Sequence, residues 1–262
     1  MNLNIQRAIT DINPDTIMMI GDFKIANSTL FGLFILLLLA IFCFAVIRKF
    51  KERPGNTQTG VELLYEGMAD FVDQITGNRK RTEVILPAIA TMFVYFGISN
   101  LIGLIPGLTS ITVGDMPLFR TPTADFNTTF AVAFASVLIL QYIGAKEWGF
   151  FGQIGKFFKF KEVYQGFKKS ISDGMMAIID FAIGLLDIIG EIAKVVSLSL
   201  RLFGNIYAGE VLAIIILGGF AYIVPSVWTG MNILTGVIQA IVFGSLIAAY
   251  YSLTINPDKD PK

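Results

Sequence analysis

The sequence predicts an all-α integral membrane protein with five membrane helices and one interfacial amphipathic helix. Two observations carry that class. Hydrophobic residues make up 54% of the 262-residue chain and charged residues only 15%, with a mean hydropathy of +0.68. A soluble domain carries about 25% charged residues, so this chain has too little polar surface to cover a water-facing globule. The apolar residues also fall into separate runs, each long enough for the span of about 20 residues that a hydrocarbon core requires.

The first run, 30–47, is a continuous apolar stretch followed at once by Arg48, Lys49, Lys51 and Arg53, then by the breakers Pro54 and Gly55. The polar lead with Asp11, Asp15 and Asp22 lacks the basic character of a signal peptide. Residues 61–77 read differently. Val61, Leu64, Tyr65, Met68, Phe71, Val72 and Ile75 recur at helical spacing, with Glu62, Glu66, Asp70 and Asp73 between them. That is an amphipathic helix, too polar to span, which suits the membrane surface. Runs 84–106 and 126–145 make a spanning hairpin joined through the polar stretch 107–118 and the segment Arg120-Thr121-Pro122-Thr123-Ala124-Asp125. A loop, 146–173, follows, with six lysines among Trp and Phe, a mixture that suits an anionic lipid surface.

Segment 175–217 has no proline and no clear break, although Gly184 and Gly190 offer points to bend. As one helix it would be roughly 64 Å long. A hydrocarbon core is about 30 Å thick, so the segment tilts by some 60° or divides in two. It also carries Asp180, Asp187, Glu191, Lys194, Arg201 and Glu210, which lipid alone could not accommodate. A steep tilt against a protein neighbour meets both demands. A turn near Pro225 leads to the last run, 228–255, and a charged tail. With the N-terminus outside, fifteen Lys and Arg lie on the inner side and three on the outer, which fixes the expected orientation with the C-terminus in the cytoplasm.

Several function classes drop out. Net charge is zero, so nothing points to nucleic acid. Histidine is absent, which removes the commonest general base and metal ligand. No nucleophile motif or phosphate-binding loop is present, so the chain is not expected to be an enzyme by itself, and no cofactor or metal is expected. The lone Cys43 excludes a disulfide within the chain.

The charged residues of 175–217 share a face. With Arg201 at zero on a helical wheel, Lys194 falls at roughly 20°, Asp187 and Asn205 at about 40°, Asp180 at about 60° and Glu191 at about 80°, while Glu210 lies about 180° away. Asn232, Gln239 and Tyr250 align within roughly 20° on the last helix. Lys194 can pair with Asp187 or Glu191, and a polar seam can simply join two helices. Arg201 is different, because no acid lies three or four residues from it. A buried unpaired cation is costly. Its counter-charge must come from another helix or another subunit, and ionisable residues sharing an intramembrane face read as an ion pathway.

Ser199-Leu200-Arg201-Leu202-Phe203-Gly204-Asn205-Ile206-Tyr207-Ala208-Gly209-Glu210 closely resembles the signature of subunit a of the F-type ATP synthase membrane sector. The likeness covers nearly the whole chain. Asn100-Leu101-Ile102-Gly103-Leu104-Ile105-Pro106 resembles the end of the family's third helix, and Pro122-Thr123-Ala124-Asp125-Phe126-Asn127 the start of its fourth. The resemblance implies a stator ion channel whose last two helices form a steeply tilted hairpin against a rotating ring of c subunits. The b-subunit stalk and the rest of the complex are the other implied partners, in an energy-coupling membrane such as the bacterial cell membrane. It implies two aqueous half-channels that pass H⁺ or Na⁺ to the ring carboxylates. By position, Arg201 is the gate, and Asn205, Glu210 and Gln239 belong to the outer half-channel. Asp180, Asp187, Glu191 and Lys194 fall to the inner one; Asn100, Asp125 and Asn127 are candidates for the outer vestibule. Asn232 stands where some members carry a histidine, and an amide cannot titrate. Two other readings remain open from sequence: a stand-alone secondary transporter, which calls for internal repeats not seen here, and a membrane scaffold that uses the stripe for packing.

Overall fold

The computed structural model describes residues 14–20, 23–51, 55–105, 111–113, 116–149, 171–219 and 223–255, with residues 152, 155, 157 and 168 singly. Six long helices dominate: α1 (Asn27–Arg48), α2 (Asn56–Thr76), α3 (Arg79–Gly103), α4 (Phe126–Trp148), α5 (Ile171–Gly219) and α6 (Ile223–Ile255). Among the described residues, four stretches are long and apolar enough to cross a membrane: α1, α3, α4 and residues Ser226–Ile255 of α6. The segment expected to tilt or divide is one 49-residue helix, α5. Most of the expected lysine loop at 146–173, and the tail after 255, lie outside the described residues.

The helix starts differ from the apolar runs for local reasons. The sequence places α3 from 84, but it begins at Arg79, because Asn78 caps it by accepting the Lys80 N–H at 3.0 Å. Arg79, Lys80 and Arg81 thus form the first turn of the helix. α2 starts at Asn56 rather than 61. There the Gln58 side chain bonds both backbone groups of Lys51, at 3.1 Å each. α2 ends at Gly77, whose left-handed backbone (φ 66°) suits glycine and lets its N–H reach the Asp73 carbonyl. Across this corner Thr82 donates to Asp73 at 3.0 Å and shares a 2.7 Å bond with Thr76. The turn placed at 218–226 is shorter than expected: α6 begins at Ile223, so Pro225 falls in a first helical turn, where its missing N–H costs nothing.

Two short hairpins were not anticipated. β1 (Thr16–Ile20) pairs antiparallel with β2 (Phe23–Ala26), and β3 (Thr112–Val113) with β4 (Met116–Pro117).

The chain forms two compact units, residues 1–129 with 200–249, and residues 130–199 with 250–262. In the first, Phe31, Ile35, Ile85, Ile89, Phe96, Leu202, Phe243 and Ile247 are buried. α3 and α6 approach closely at glycines: a Cβ on Gly236 would lie 3.2 Å from Asn100 Cβ, and one on Gly244 would lie 3.2 Å from Ile89. Phe96 and Phe243 meet edge to face at 5.0 Å between these sites. In the second unit, Val137, Leu140, Ala177, Val195, Leu198 and Tyr251 are buried. The outward faces are apolar, with Leu33, Leu37, Ile41 and Phe44 on α1 and Leu186, Ile189 and Ile192 on α5 exposed, as lipid or a partner protein requires.

Candidate functional site

In the first unit, polar groups converge from α1, α3, the 120–125 segment, α5 and α6. Asp125 anchors them. It is buried, and one oxygen accepts the Ser28 hydroxyl at 2.6 Å and the Thr128 hydroxyl at 3.2 Å. The other accepts the Asn127 backbone N–H at 3.0 Å, capping α4. Asn27 beside it reaches the Pro117 carbonyl at 3.2 Å, so the start of α1 is tied to both the second hairpin and the 120–125 segment.

Thr123 donates to Asn100 Oδ1 at 2.7 Å, and the Asn100 amide reaches toward the Gly236 carbonyl at 3.5 Å. Glu210 is partly buried, hydrogen-bonded to the Thr121 side chain and close enough to Arg120 to feel its charge. Arg120 and Thr121 are therefore neighbours of Glu210 that sequence reasoning missed. Their proximity to residue 210 arises only through the fold. Gly103 makes room for them, because a Cβ there would collide with Thr121 Oγ1 and Cγ2. Gly103→Ala is expected to displace Thr121 from Glu210 and to cost about 1–3 kcal/mol, as overpacking does. A lowered melting temperature of the purified complex checks it.

The Gly209 carbonyl, one residue before Glu210, accepts the Trp228 indole N–H at 3.1 Å and lies 3.5 Å from the Asn232 amide. Asn232 thus faces the backbone of α5. Gln239 lies at i+3 from Gly236 on the α6 face that meets α3, and its amide nitrogen is buried with no hydrogen-bond partner among the described residues. Asn127 is exposed at the start of α4.

Arg201 is exposed, and among the described residues it makes no ion pair or hydrogen bond. Leu202 beside it is wholly buried, so the helix is anchored while the guanidinium points away from the chain's own interior. Phe203 stacks on Tyr207 at 5.1 Å and meets Phe126 edge-on at 5.7 Å, fixing this stretch of α5 against the start of α4. Asn205, on the same stretch, is half-buried.

In the second unit, Lys194 pairs with Glu191 at 2.6 Å, and its ammonium lies 5.0 Å from the centre of the Tyr250 ring. Asp180 is half-buried and Asp187 exposed; neither forms an ion pair among the described residues. No group of three or more His, Cys, Asp or Glu among the described residues could hold a metal ion.

Comparison with known proteins gives the family. Residues 29–252 match the family model described as ATP synthase A chain. The chain belongs to the ATP synthase A chain family. It is 36% identical over 224 residues to ATP synthase subunit a of Desulforamulus reducens, covering 82% of this chain and 74% of that one. The subunit a of Syntrophobacter fumaroxidans is 31% identical, with 94% and 91% covered. That of Moorella thermoacetica is 29% identical, with 92% and 96% covered. As an ATP synthase A chain it is a membrane protein of an ion-transporting complex and not an enzyme by itself.

Proposed function

We propose that this chain is the stator ion channel of an F-type ATP synthase, with α5 and α6 lying tilted against a ring of c subunits. In this reading α5 is the fifth membrane segment, the N-terminus is outside, and the b-subunit stalk holds the chain still. Two aqueous half-channels pass H⁺ or Na⁺ to and from one carboxylate on each c subunit. One observation carries the proposal: Arg201 is exposed on α5 and, among the described residues, has no counter-charge in its own unit.

The chemistry follows from that cation. A guanidinium stays charged at any pH a protein meets. A ring carboxylate arriving beside it is favoured in its ionised form and so gives up its ion. The same charge repels free cations and blocks a direct leak between the half-channels. The ion must ride the ring, and rotation follows, driven by about 2.3 kcal/mol per charge for each 100 mV.

The outer half-channel is assigned to Asn205, Glu210 and Gln239, with Asn100 and Asn127 at its vestibule. A buried amide without a partner, as at Gln239, calls for water, which supports a hydrated path there. The inner half-channel is assigned to the charged stripe at 180–194 of α5, with Asp180 and Asp187 as its ion-carrying acids. A map of the assembled complex tests the whole reading. A carboxylate of another subunit is expected within ion-pair reach of Arg201. A carboxylate of this chain in that place overturns it.

A further inference from the structure

The charged stripe of α5 does not behave as a unit. Asp180 and Asp187 are unpaired among the described residues, whereas Glu191 and Lys194 are bound to each other at 2.6 Å and are each about one-fifth exposed. The Lys194 ammonium also faces the Tyr250 ring of α6 at 5.0 Å, within cation–π range. Two independent contacts thus converge on one nitrogen. All three residues lie in the second unit, so the contact joins α5 to α6 within one compact body.

We propose that Lys194 is a positioning residue, neutralised by Glu191 and docked on Tyr250, and that Glu191 serves this tether rather than carrying the ion. The inference rests on the ion-channel reading and divides the inner stripe. Asp180 and Asp187 are free to exchange an ion, while Glu191, Lys194 and Tyr250 hold α5 at a fixed setting on α6. A relay acid needs a carboxylate open to successive cations. Glu191 has a permanent one at contact distance. Setting matters because catalytic and transfer geometries lose rate steeply with displacements of about 1 Å.

The tether has a chemical signature. An ammonium–ring contact needs an aromatic face and no hydroxyl. Tyr250→Phe is therefore expected to pump ions within about 2-fold of the parent, and Tyr250→Leu to fall about 10-fold. Lys194→Arg keeps the cation and is expected to stay within about 3-fold, while Lys194→Met falls about 10-fold. Glu191→Gln keeps an oxygen acceptor for the ammonium and is expected to stay within about 3-fold, where a relay acid would lose everything.

The measurement is ATP-driven uptake into vesicles carrying the whole complex. It is followed with a pH-sensitive dye and with labelled sodium, and normalised to the subunit a content of the purified enzyme. Equal pumping by Tyr250→Phe and Tyr250→Leu overturns the tether, as does a Glu191→Gln variant as inactive as Arg201→Ala. Arg201→Ala in the same series separates the two levels. If it pumps normally, the ion-channel reading itself fails. If it is dead while the Tyr250 pair behave alike, only the tether fails. A variant whose subunit a is missing from the complex is replaced by the milder Tyr250→Met, which also lacks a ring and is expected to fall with Leu.

Discussion

Arg201→Ala is expected to abolish ATP-driven ion pumping, by more than about 100-fold, while the complex still assembles. The asymmetry follows from what the side chain touches. Arg201 makes no ion pair or hydrogen bond among the described residues, so its removal strands no partner inside the chain. On the proposed placement it is a mid-membrane arginine, which costs about 2.5–3.5 kcal/mol on insertion scales and which alanine avoids. On the proposed reading, what disappears is the fixed charge that a passing carboxylate meets and that keeps the half-channels apart. Arg201→Lys is the finer comparison. An ammonium is a compact charge that can lose its proton when desolvated and cannot grip a carboxylate with two parallel bonds. We expect it to lose at least about 10-fold. Vesicle pumping assays alongside an immunoblot for subunit a decide the matter. Normal pumping by the alanine variant refutes the ion-channel role, and loss of subunit a from the complex would favour a packing scaffold.

The second large effect is on stability. Asp125→Ala removes the acceptor of the Ser28 and Thr128 hydroxyls and of the Asn127 N–H. The Ser28 side chain is wholly buried, so its hydroxyl has no water to turn to. Charged hydrogen bonds contribute about 1.5–3 kcal/mol each, and a stranded buried donor costs about 1–3 kcal/mol, so a loss of about 3–5 kcal/mol is expected. Asp125→Asn keeps one carbonyl oxygen for Ser28 and should lose about half as much. Ser28→Ala combined with Asp125→Ala should be less damaging than the sum, because the two share one bond. Thermal denaturation of the purified complex and retention of subunit a measure these effects. An Asp125→Ala complex as stable as the parent would show that these bonds do not hold the 120–125 segment in place. On this argument Asp125 holds the 120–125 segment, from which Thr123 bonds Asn100.

The helices were legible because lipid imposes a strong pattern. An apolar run of spanning length has little alternative to helix, and α1 at Asn27–Arg48 extends the expected 30–47 by only a few residues. Boundaries failed where local chemistry overrode hydropathy, as at Arg79–Arg81, which lie ahead of the expected run 84–106 and form the capped start of α3. The hairpins left a signal that went unread: the sequence has a Gly-Asp pair after Ile20 and another after Val113, a dipeptide that favours hairpins. Within the site, Arg201 and Glu210 stood out as charges in oil, and the Glu191–Lys194 pair followed from helical spacing. Thr121, Arg120 and Trp228 did not. Each is an ordinary residue by type, and only tertiary packing brings it to Glu210 or to the carbonyl just before it.

That last contact has a practical side. The chain contains two tryptophans, Trp148 and Trp228, and the indole of Trp228 is bonded to the peptide group immediately preceding Glu210. Indole emission depends on the polarity and hydrogen bonding around the ring. With Trp148 replaced by phenylalanine, the molecule would hold a single tryptophan one peptide unit from Glu210, a built-in optical probe of that residue's surroundings that needs no attached dye.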